Sequence, residues 1–381
     1  MAKPIKRFFS TIFSKIEGPV QNTIVFESNP EFEGNTGAVY EEMLKRGIAG
    51  RYKIIWLVKD KSVYAGAGKS DITYLEYRPH SPWEKLKKFY YLNRARAIIF
   101  ENRIMYKSWK NQFVMNLTHG MPIKKTGSYK QYDTCDYILS SSANLSEVLA
   151  RELAVPLAKV VTLGYPRNDV LGVSSTALAK LGLNEYASVI VWMPTFRKRR
   201  KSRTFDGENY PGGIPLLDKS ENIKAANELL QKTNTCLVVK LHPEQDDKNF
   251  NFISESHIKY LGDSDLRAKG VKPYELLSES DALMTDYSSV YVDYLVTKKP
   301  VALVIDDIEA YVSKRGLAVN FKECVKGTYI YNFKELLEFF DSIGNNDYKD
   351  MDGILQSYEK YCDFTDHKST ERVVDFILGK I

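Results

Sequence analysis

Four segments of this chain set residues suited to hydroxyl or phosphate chemistry directly behind short apolar runs. In LTHGMPIKKTG, 117–127, His119 precedes Gly120, and Lys124 and Lys125 follow closely. An imidazole, with its ordinary pKa of about 6.5, holds both proton states near neutral pH and can act as a general base. The plainer reading is a histidine bonded to its own loop. In MPTFRKRR, 193–200, Thr195 and Arg197 follow an apolar run, where a guanidinium can fork onto phosphate. The charges beyond it, Arg199, Arg200, Lys201 and Arg203, make either a solvated loop or a surface for a polyanionic acceptor or a membrane. VVKLHPEQD, 238–246, brackets a strand end with Lys240 and His242 and stops it at Pro243. His242 there either bonds a phosphate oxygen or anchors the turn. In LMTDYSSVYVDYL, 283–295, Asp286 or Ser288 can cap a helix whose first N–H groups face an anion, and Ser288 and Ser289 add hydroxyls. An ordinary capped helix reads the same way. Together the four describe a site for a diphosphate and an incoming hydroxyl.

What is missing narrows the chemistry. The chain has no GxxxxGK[ST], no GxGxxG after its first strand, no HExxH and no GxSxG. Kinase, dehydrogenase, zincin and hydrolase readings lose their signatures. No strand end clusters two carboxylates as a Mg²⁺-phosphate site requires, so no metal ligands are assigned and no cofactor is expected.

Something must hold these segments at one edge. From residue 22 the chain alternates short apolar runs (NTIVFES, KIIWLV, TYLEY, RAIIFE, FVMNLT, CDYILSS, KVVTLGY) with helical patterns at 35–47, 81–95 and 144–153. The turn-rich GYPRNDVLG, 164–172, is a joint. After it SVIVWMP, TCLVVKLHP, IKYLG, DALMTD and VALVID alternate with helical patterns at 219–232, 273–280, 289–296 and 333–340. Such alternation predicts parallel sheets covered on both faces, hence an α/β chain of two Rossmann-like domains with the active site between them across a cleft. Ligands of open α/β sheets gather beyond the carboxyl ends of the strands, where the four segments lie.

A length of 381 residues suits two domains, and 44% hydrophobic with 27% charged residues suits a globular chain. A net charge of +6 is too mild for a nucleic-acid protein and favours anionic substrates or lipid. Four separated cysteines form no CxxC pair and fit a reducing compartment. No apolar run is long enough to span a bilayer, and MAKPIKRFFSTIFSKI is no convincing signal peptide. Its Ile5, Phe8, Phe9, Ile12, Phe13 and Ile16 recur at helical spacing beside Lys3, Lys6, Arg7 and Lys15. That pattern is either an amphipathic helix on anionic membrane or a helix packed on the protein itself.

The order HGxPxK, GYPRxD, PTFR, KLHP, TDYSSxxxDYL resembles the CDP-glycerol glycerophosphotransferases of teichoic-acid and capsule synthesis, over most of residues 22–380. FESNPEFEGNTGAVYEEM is similar to that family's opening strand and Asn-bearing helix. The resemblance implies a GT-B-like pair of domains, a CDP-activated donor bound mainly by the C-terminal one, and no required metal. It also implies that His119 is the base and His242 a second essential histidine. Thr195, Arg197, Asp286, Ser288 and Ser289 match its donor-phosphate segments, and Arg315 in SKRGL matches a basic position facing the diphosphate. The chain departs from the family in having Thr118 and Met121 around the His-Gly pair, and in a C-terminal FTDHKSTERVVDFI without the usual glycine.

The expected layout is an amphipathic segment at 1–20, an acceptor domain at 21–166, a CDP-donor domain at 167–362 and a C-terminal helix at 363–381. The expected reaction passes glycerol phosphate from CDP-glycerol, or ribitol phosphate from CDP-ribitol, to a hydroxyl of a lipid-linked or polymeric polyol-phosphate or saccharide acceptor, releasing CMP. Lys124, Lys125, Arg199 and Arg200 are assigned to the acceptor. The expected location is the cytoplasmic face of the cell membrane, bound peripherally to anionic lipid, with no nucleic-acid partner. A GT-B glycosyltransferase using a nucleotide sugar is the rival reading, because fold alone does not choose between them.

Overall fold

The computed structural model describes residues 11–64, 72–126, 132–195, 207, 208, 210, 213–241 and 254–381. They form two compact units. One gathers the described residues of Met1–Met121, Thr126–Asp169 and Asp363–Ile381, the other those of Pro122–Lys125 and Val170–Cys362.

The first unit carries seven strands: β1 Gln21–Glu27, β2 Lys53–Val58, β3 Ile72–Glu76, β4 Ala95–Phe100, β5 Phe113–Asn116, β6 Tyr137–Ser140 and β7 Val160–Thr162. Their order is β3-β2-β1-β4-β5-β6-β7, and every pairing is parallel. Apolar side chains alternate between the faces as the pleat demands. Ile24, Phe26, Ile54, Trp56 and Val58 enter one core, packed under the helices Gly34–Lys45 and Ser369–Leu378 through Val39, Tyr40, Met43, Val373, Val374 and Ile377. Val25, Ile55, Leu57, Ile98 and Phe100 enter the other, with Leu149 and Leu153 of the helix Ala143–Leu153. The C-terminal helix is fastened at its start by Asp169, whose carboxylate accepts the Ser369 and Thr370 amides at 2.9 and 2.7 Å.

The helix Pro82–Arg94 differs from these. It buries no residue fully, and it leaves Trp83, Leu86 and Phe89 exposed at 71, 56 and 64%. Residues 1–10 of the expected amphipathic segment lie outside the described residues. The remainder touches the unit: Phe13 stands edge-on to Trp109, 5.5 Å between centroids, and the Ile16 carbonyl accepts the Lys110 amide at 2.7 Å.

The second unit carries β8 Ser188–Trp192, β9 Thr235–Lys240, β10 Ile258–Leu261, β11 Ala282–Thr285, β12 Val301–Val304 and β13 Thr328–Ile330, ordered β10-β9-β8-β11-β12-β13 and parallel throughout. β13 is short and opens on the polar Thr328, so no apolar run in the sequence marks it. The expected α/β class, with two Rossmann-like parallel sheets in one chain as in GT-B-like proteins, is what the structure has. In each sheet strand order reverses once, between β1 and β4 and between β8 and β11. A crevice opens at the carboxyl end of such a reversal, where helices leave the sheet to opposite sides.

Candidate active site

The reversal in the second sheet holds a polar chain. Past β8, the Met193 amide still pairs with the Met284 carbonyl of β11 at 2.8 Å, and two residues on, buried Thr195 faces Asp286. The Thr195 amide donates to Asp286 Oδ2 at 2.9 Å and its hydroxyl to Oδ1 at 2.5 Å. A hydroxyl has one proton, so with that proton on Asp286 its lone pairs are left to accept, and Lys124 Nζ donates to it at 3.0 Å.

Lys124 arrives on the short segment that crosses into this unit. It bridges Leu317 in antiparallel fashion, with the Lys125 amide on the Gly316 carbonyl at 3.2 Å and the Ala318 amide on the Ile123 carbonyl at 2.8 Å. Gly316 has φ +80°, and a Cβ there would come within 2.9 Å of Lys125 Cδ. Glycine therefore permits the close pass. Arg315, half-buried, directly precedes it. The structure thus brings together Lys124, Thr195 and Asp286, with Arg315 on the segment beside Lys124.

The start of the following helix differs from expectation. Its N-cap is Ser289, whose side chain makes no capping bond, and the helix runs only from Val290 to Tyr294 before a 3₁₀ turn. Neither Asp286 nor Ser288 is its N-cap, and the Asp286 carboxylate accepts from Thr195 across the sheet reversal. Ser288 and Ser289 are half-buried, with backbone carbonyls already accepting Tyr291 and Val292 amides. Between them and Asp286 lies buried Tyr287, stacked on Tyr311 at 3.9 Å and donating to Asp307 at 2.9 Å. Lys240 is buried and paired to Asp263 at 2.5 Å, the role of a structural cation. His242, Arg197, Arg199 and Arg200 lie outside the described residues.

The reversal in the first sheet holds a second cluster, built on two carboxylates that the sequence motifs do not single out. β1 ends in Glu27 and β4 runs into Glu101, both buried. Glu27 Oε2 accepts the amides of Glu101, Asn102 and Arg103 at 3.4, 3.1 and 2.9 Å. Burial raises its pKa above the usual carboxylate range against those bonds. Glu101 accepts the Thr36 amide at 3.1 Å, at the start of the helix Gly34–Lys45, and lies 3.6 Å from Arg167 Nη1. Gly34, at φ +69°, leaves room for that carboxylate, since a Cβ would sit 2.5 Å from Glu101 Oε1. Desolvation pushes Glu101 up to about 7, opposed chiefly by the Arg167 charge.

His119 stands beyond β5, exposed, on a backbone held from three sides. Asn35 Nδ2 donates to the Leu117 and Thr118 carbonyls at 3.0 and 2.8 Å, and Arg167 Nη1 donates to the His119 carbonyl at 3.0 Å. The Arg167 amide in turn donates to Asn35 Oδ1 at 3.2 Å. Thr118 has φ +48°, a left-handed conformation costly for a β-branched residue. One sequence signal could have found this cluster. IVFE and AIIFE each end an otherwise apolar buried strand on a carboxylate, which a closed sheet tolerates only where amides or a cation answer it.

Comparison with known proteins supplies the context. The family model described as CDP-Glycerol:Poly(glycerophosphate) glycerophosphotransferase matches residues 10–379. The chain is 25% identical to the teichoic acid poly(glycerol phosphate) polymerase of Bacillus spizizenii, covering 98% of this chain and 96% of the relative. It is 24% identical to the teichoic acid glycerol-phosphate transferase of Staphylococcus aureus, covering 94% of each. Its fold is similar to that of the wall teichoic acid polymerase TagF, with TM-score 0.73 and 20% identity over 99% of this chain and 93% of the other.

Proposed function

The chain belongs to the CDP-Glycerol:Poly(glycerophosphate) glycerophosphotransferase family, and from that premise we propose that it transfers a polyol phosphate, glycerol phosphate first among candidates, from a CDP-linked donor to an acceptor hydroxyl. The observation that carries the reading is the Lys124–Thr195–Asp286 chain at the reversal of the second sheet. A cation held on a hydroxyl beside a strand end suits a diphosphate oxygen, and a buried carboxylate keeps that hydroxyl aimed.

The reaction is one displacement at phosphorus. The acceptor oxygen bonds to the β-phosphorus of the donor while the bond from that phosphorus to the oxygen bridging the two phosphates breaks. His119 takes the acceptor proton, and CMP leaves with the bridging electron pair. Lys124, expected at the acceptor but bonded to Thr195, joins Arg315, Ser288 and Ser289, with Arg197 and His242, in offsetting the charge gathering on the leaving phosphate. Positioning and electrostatics carry most of the acceleration in such transfers. Asp286 acts one step back, by fixing Thr195.

The acceptor is a growing polyol-phosphate or saccharide polymer, lipid-linked at one end, and the protein meets it at the inner face of the membrane. No helix among the described residues is long and apolar enough to cross a bilayer. Surface attachment instead fits the helix Pro82–Arg94, whose exposed Trp83, Leu86 and Phe89 stand among Lys85, Lys87 and Arg94. Incubating the protein with CDP-glycerol, CDP-ribitol and common nucleotide sugars, and measuring which nucleotide appears, tests the reading. CMP release is expected. Release of a nucleoside diphosphate from a sugar donor alone would move the chain to the glycosyltransferases.

A further inference from the structure

We propose that Glu101 is a positioning residue for His119, acting through the guanidinium of Arg167. The proposal rests on the reading above, in which His119 takes the acceptor proton.

One nitrogen does two jobs. Arg167 Nη1 lies 3.0 Å from the His119 carbonyl and 3.6 Å from Glu101 Oε1. Both side chains of that ion pair are at least nine-tenths buried, so solvent screens the attraction little. The backbone it steadies needs steadying, since Thr118 at φ +48° leads into Gly120 at φ +133°. Strained backbone of this kind persists only where its surroundings over-determine it. Asn35 holds the two carbonyls before His119 and Arg167 holds its own. Remove the Glu101 charge and the guanidinium loses that buried carboxylate, which weakens the third hold while the Tyr165 ring stays beside it at 5.3 Å.

The charged and titratable groups facing Glu101 come from each packed element. Glu27 lies at the end of β1, with Arg103 3.4 Å from its carboxylate. The Thr36 amide comes from the start of the helix Gly34–Lys45, and Arg167 from the turn after β7. Burial and Glu27 favour the protonated acid, Arg167 and Thr36 the carboxylate, and the balance falls at about 7. The hold on His119 therefore engages as pH rises through neutrality.

The test compares wild type with Glu101→Gln, Arg167→Lys and His119→Ala. Imidazole ¹⁵N spectra are recorded across the neutral range, with the His119 signal identified by its loss in His119→Ala. Wild type should show the His119 signal moving with two ionisations, its own and that of Glu101. Glu101→Gln and Arg167→Lys should each show one. Turnover of CDP-glycerol onto a short glycerol-phosphate oligomer should fall about tenfold in Glu101→Gln, within the worth of a misplaced base, with KM for the donor unchanged. A His119 titration in either variant that superimposes on wild type would overturn the proposal. Should His119→Ala retain turnover, the base assignment fails, while the spectra still decide whether Glu101 holds His119. Arg167→Lys carries the test if Glu101→Gln does not fold.

Discussion

The Thr195 hydroxyl donates to Asp286 at 2.5 Å while the Thr195 amide reaches the other oxygen of the same carboxylate at 2.9 Å. Two bonds between one pair, across the reversal of a parallel sheet, fix the hydroxyl that Lys124 meets. Asp286→Ala should therefore act through Thr195, leaving a buried amide and hydroxyl without that partner. It is expected to cost roughly 1–3 kcal/mol of stability. It should also weaken CDP-glycerol binding by about tenfold or more, in line with one charge-assisted bond lost or misdirected. Ser288→Ala and Arg197→Ala should weaken donor binding without the stability loss. Thermal melts and calorimetric titration with CDP-glycerol separate the two effects, and unchanged affinity in all three would move the diphosphate elsewhere.

His119→Ala should keep the fold and donor affinity, because the bond from Arg167 lands on the His119 carbonyl, which alanine retains. Turnover should drop by roughly 10²–10⁴-fold, the usual worth of a positioned general base. Single-turnover release of CMP measures it, and near-normal release would remove His119 from the mechanism.

The two sheets were legible because parallel strands buried on both faces read as continuous apolar runs, and KIIWLV became β2 without a change of boundary. β13 was not, since three residues with a threonine carry no such signal. The strand ends were equally plain, but what each side chain meets there was not. Thr195 and Asp286 are 91 residues apart, and only the order β8-β11 makes them neighbours. For the same reason local spacing offers Asp286 or Ser288 as the helix cap, while the partner of Asp286 lies across the sheet. Lys124 looked like part of the His119 segment, yet the chain carries it into the other unit three residues past Met121. Glu27 and Glu101 carry no signal because each is ordinary alone, and Arg167 enters only as one letter of the GYPRxD motif.

Stability should fall as pH rises through neutrality at one named site. The Glu101 pKa is raised on folding, from 4.5 to about 7, so the folded state binds its proton more tightly than the unfolded chain does. That contribution is fully present below about pH 4.5 and is lost as pH passes about 7. Glu101→Gln removes the ionisation. The variant should gain on wild type between these limits, by an amount on the order of a few kcal/mol at most. Urea melts at pH values on either side of neutrality would show it. A constant difference between wild type and variant across that range would mean that Glu101 does not titrate there. If both this and the loss of turnover hold, the protein spends stability to keep a charge where the reaction uses it.

Turnover should proceed without a divalent ion. Among the described residues no group of three or more His, Cys, Asp or Glu could hold a metal. The two Asp286 oxygens are engaged by Thr195. In the proposed mechanism Lys124 and Arg315 supply the positive charge that Mg²⁺ gives other phosphoryl transfers. Activity in EDTA should match activity in Mg²⁺. Strict loss in EDTA, restored by Mg²⁺, would contradict the cationic account.

Attachment to anionic lipid should depend on the helix Pro82–Arg94 as well as on residues 1–16. Trp83, Leu86 and Phe89 recur every three residues, so they share one side of the helix, and each is more than half exposed. Three large apolar side chains exposed together mark a contact surface, and the headgroup region of a bilayer takes Trp and Phe readily. Lys85 and Lys87 between them add attraction to anionic lipid, on the order of 1 kcal/mol for each cation near the surface. Replacing Trp83, Leu86 and Phe89 by Ser should cost little stability, because none is buried. It should reduce co-sedimentation with anionic vesicles, and so should deleting residues 1–16, while turnover on a short soluble acceptor survives both. The binding that remains should weaken as salt rises, since exposed charges are screened beyond about 8 Å at physiological ionic strength. If the triple variant pellets as fully as wild type, the helix faces water, and the membrane contact must be sought elsewhere on the chain.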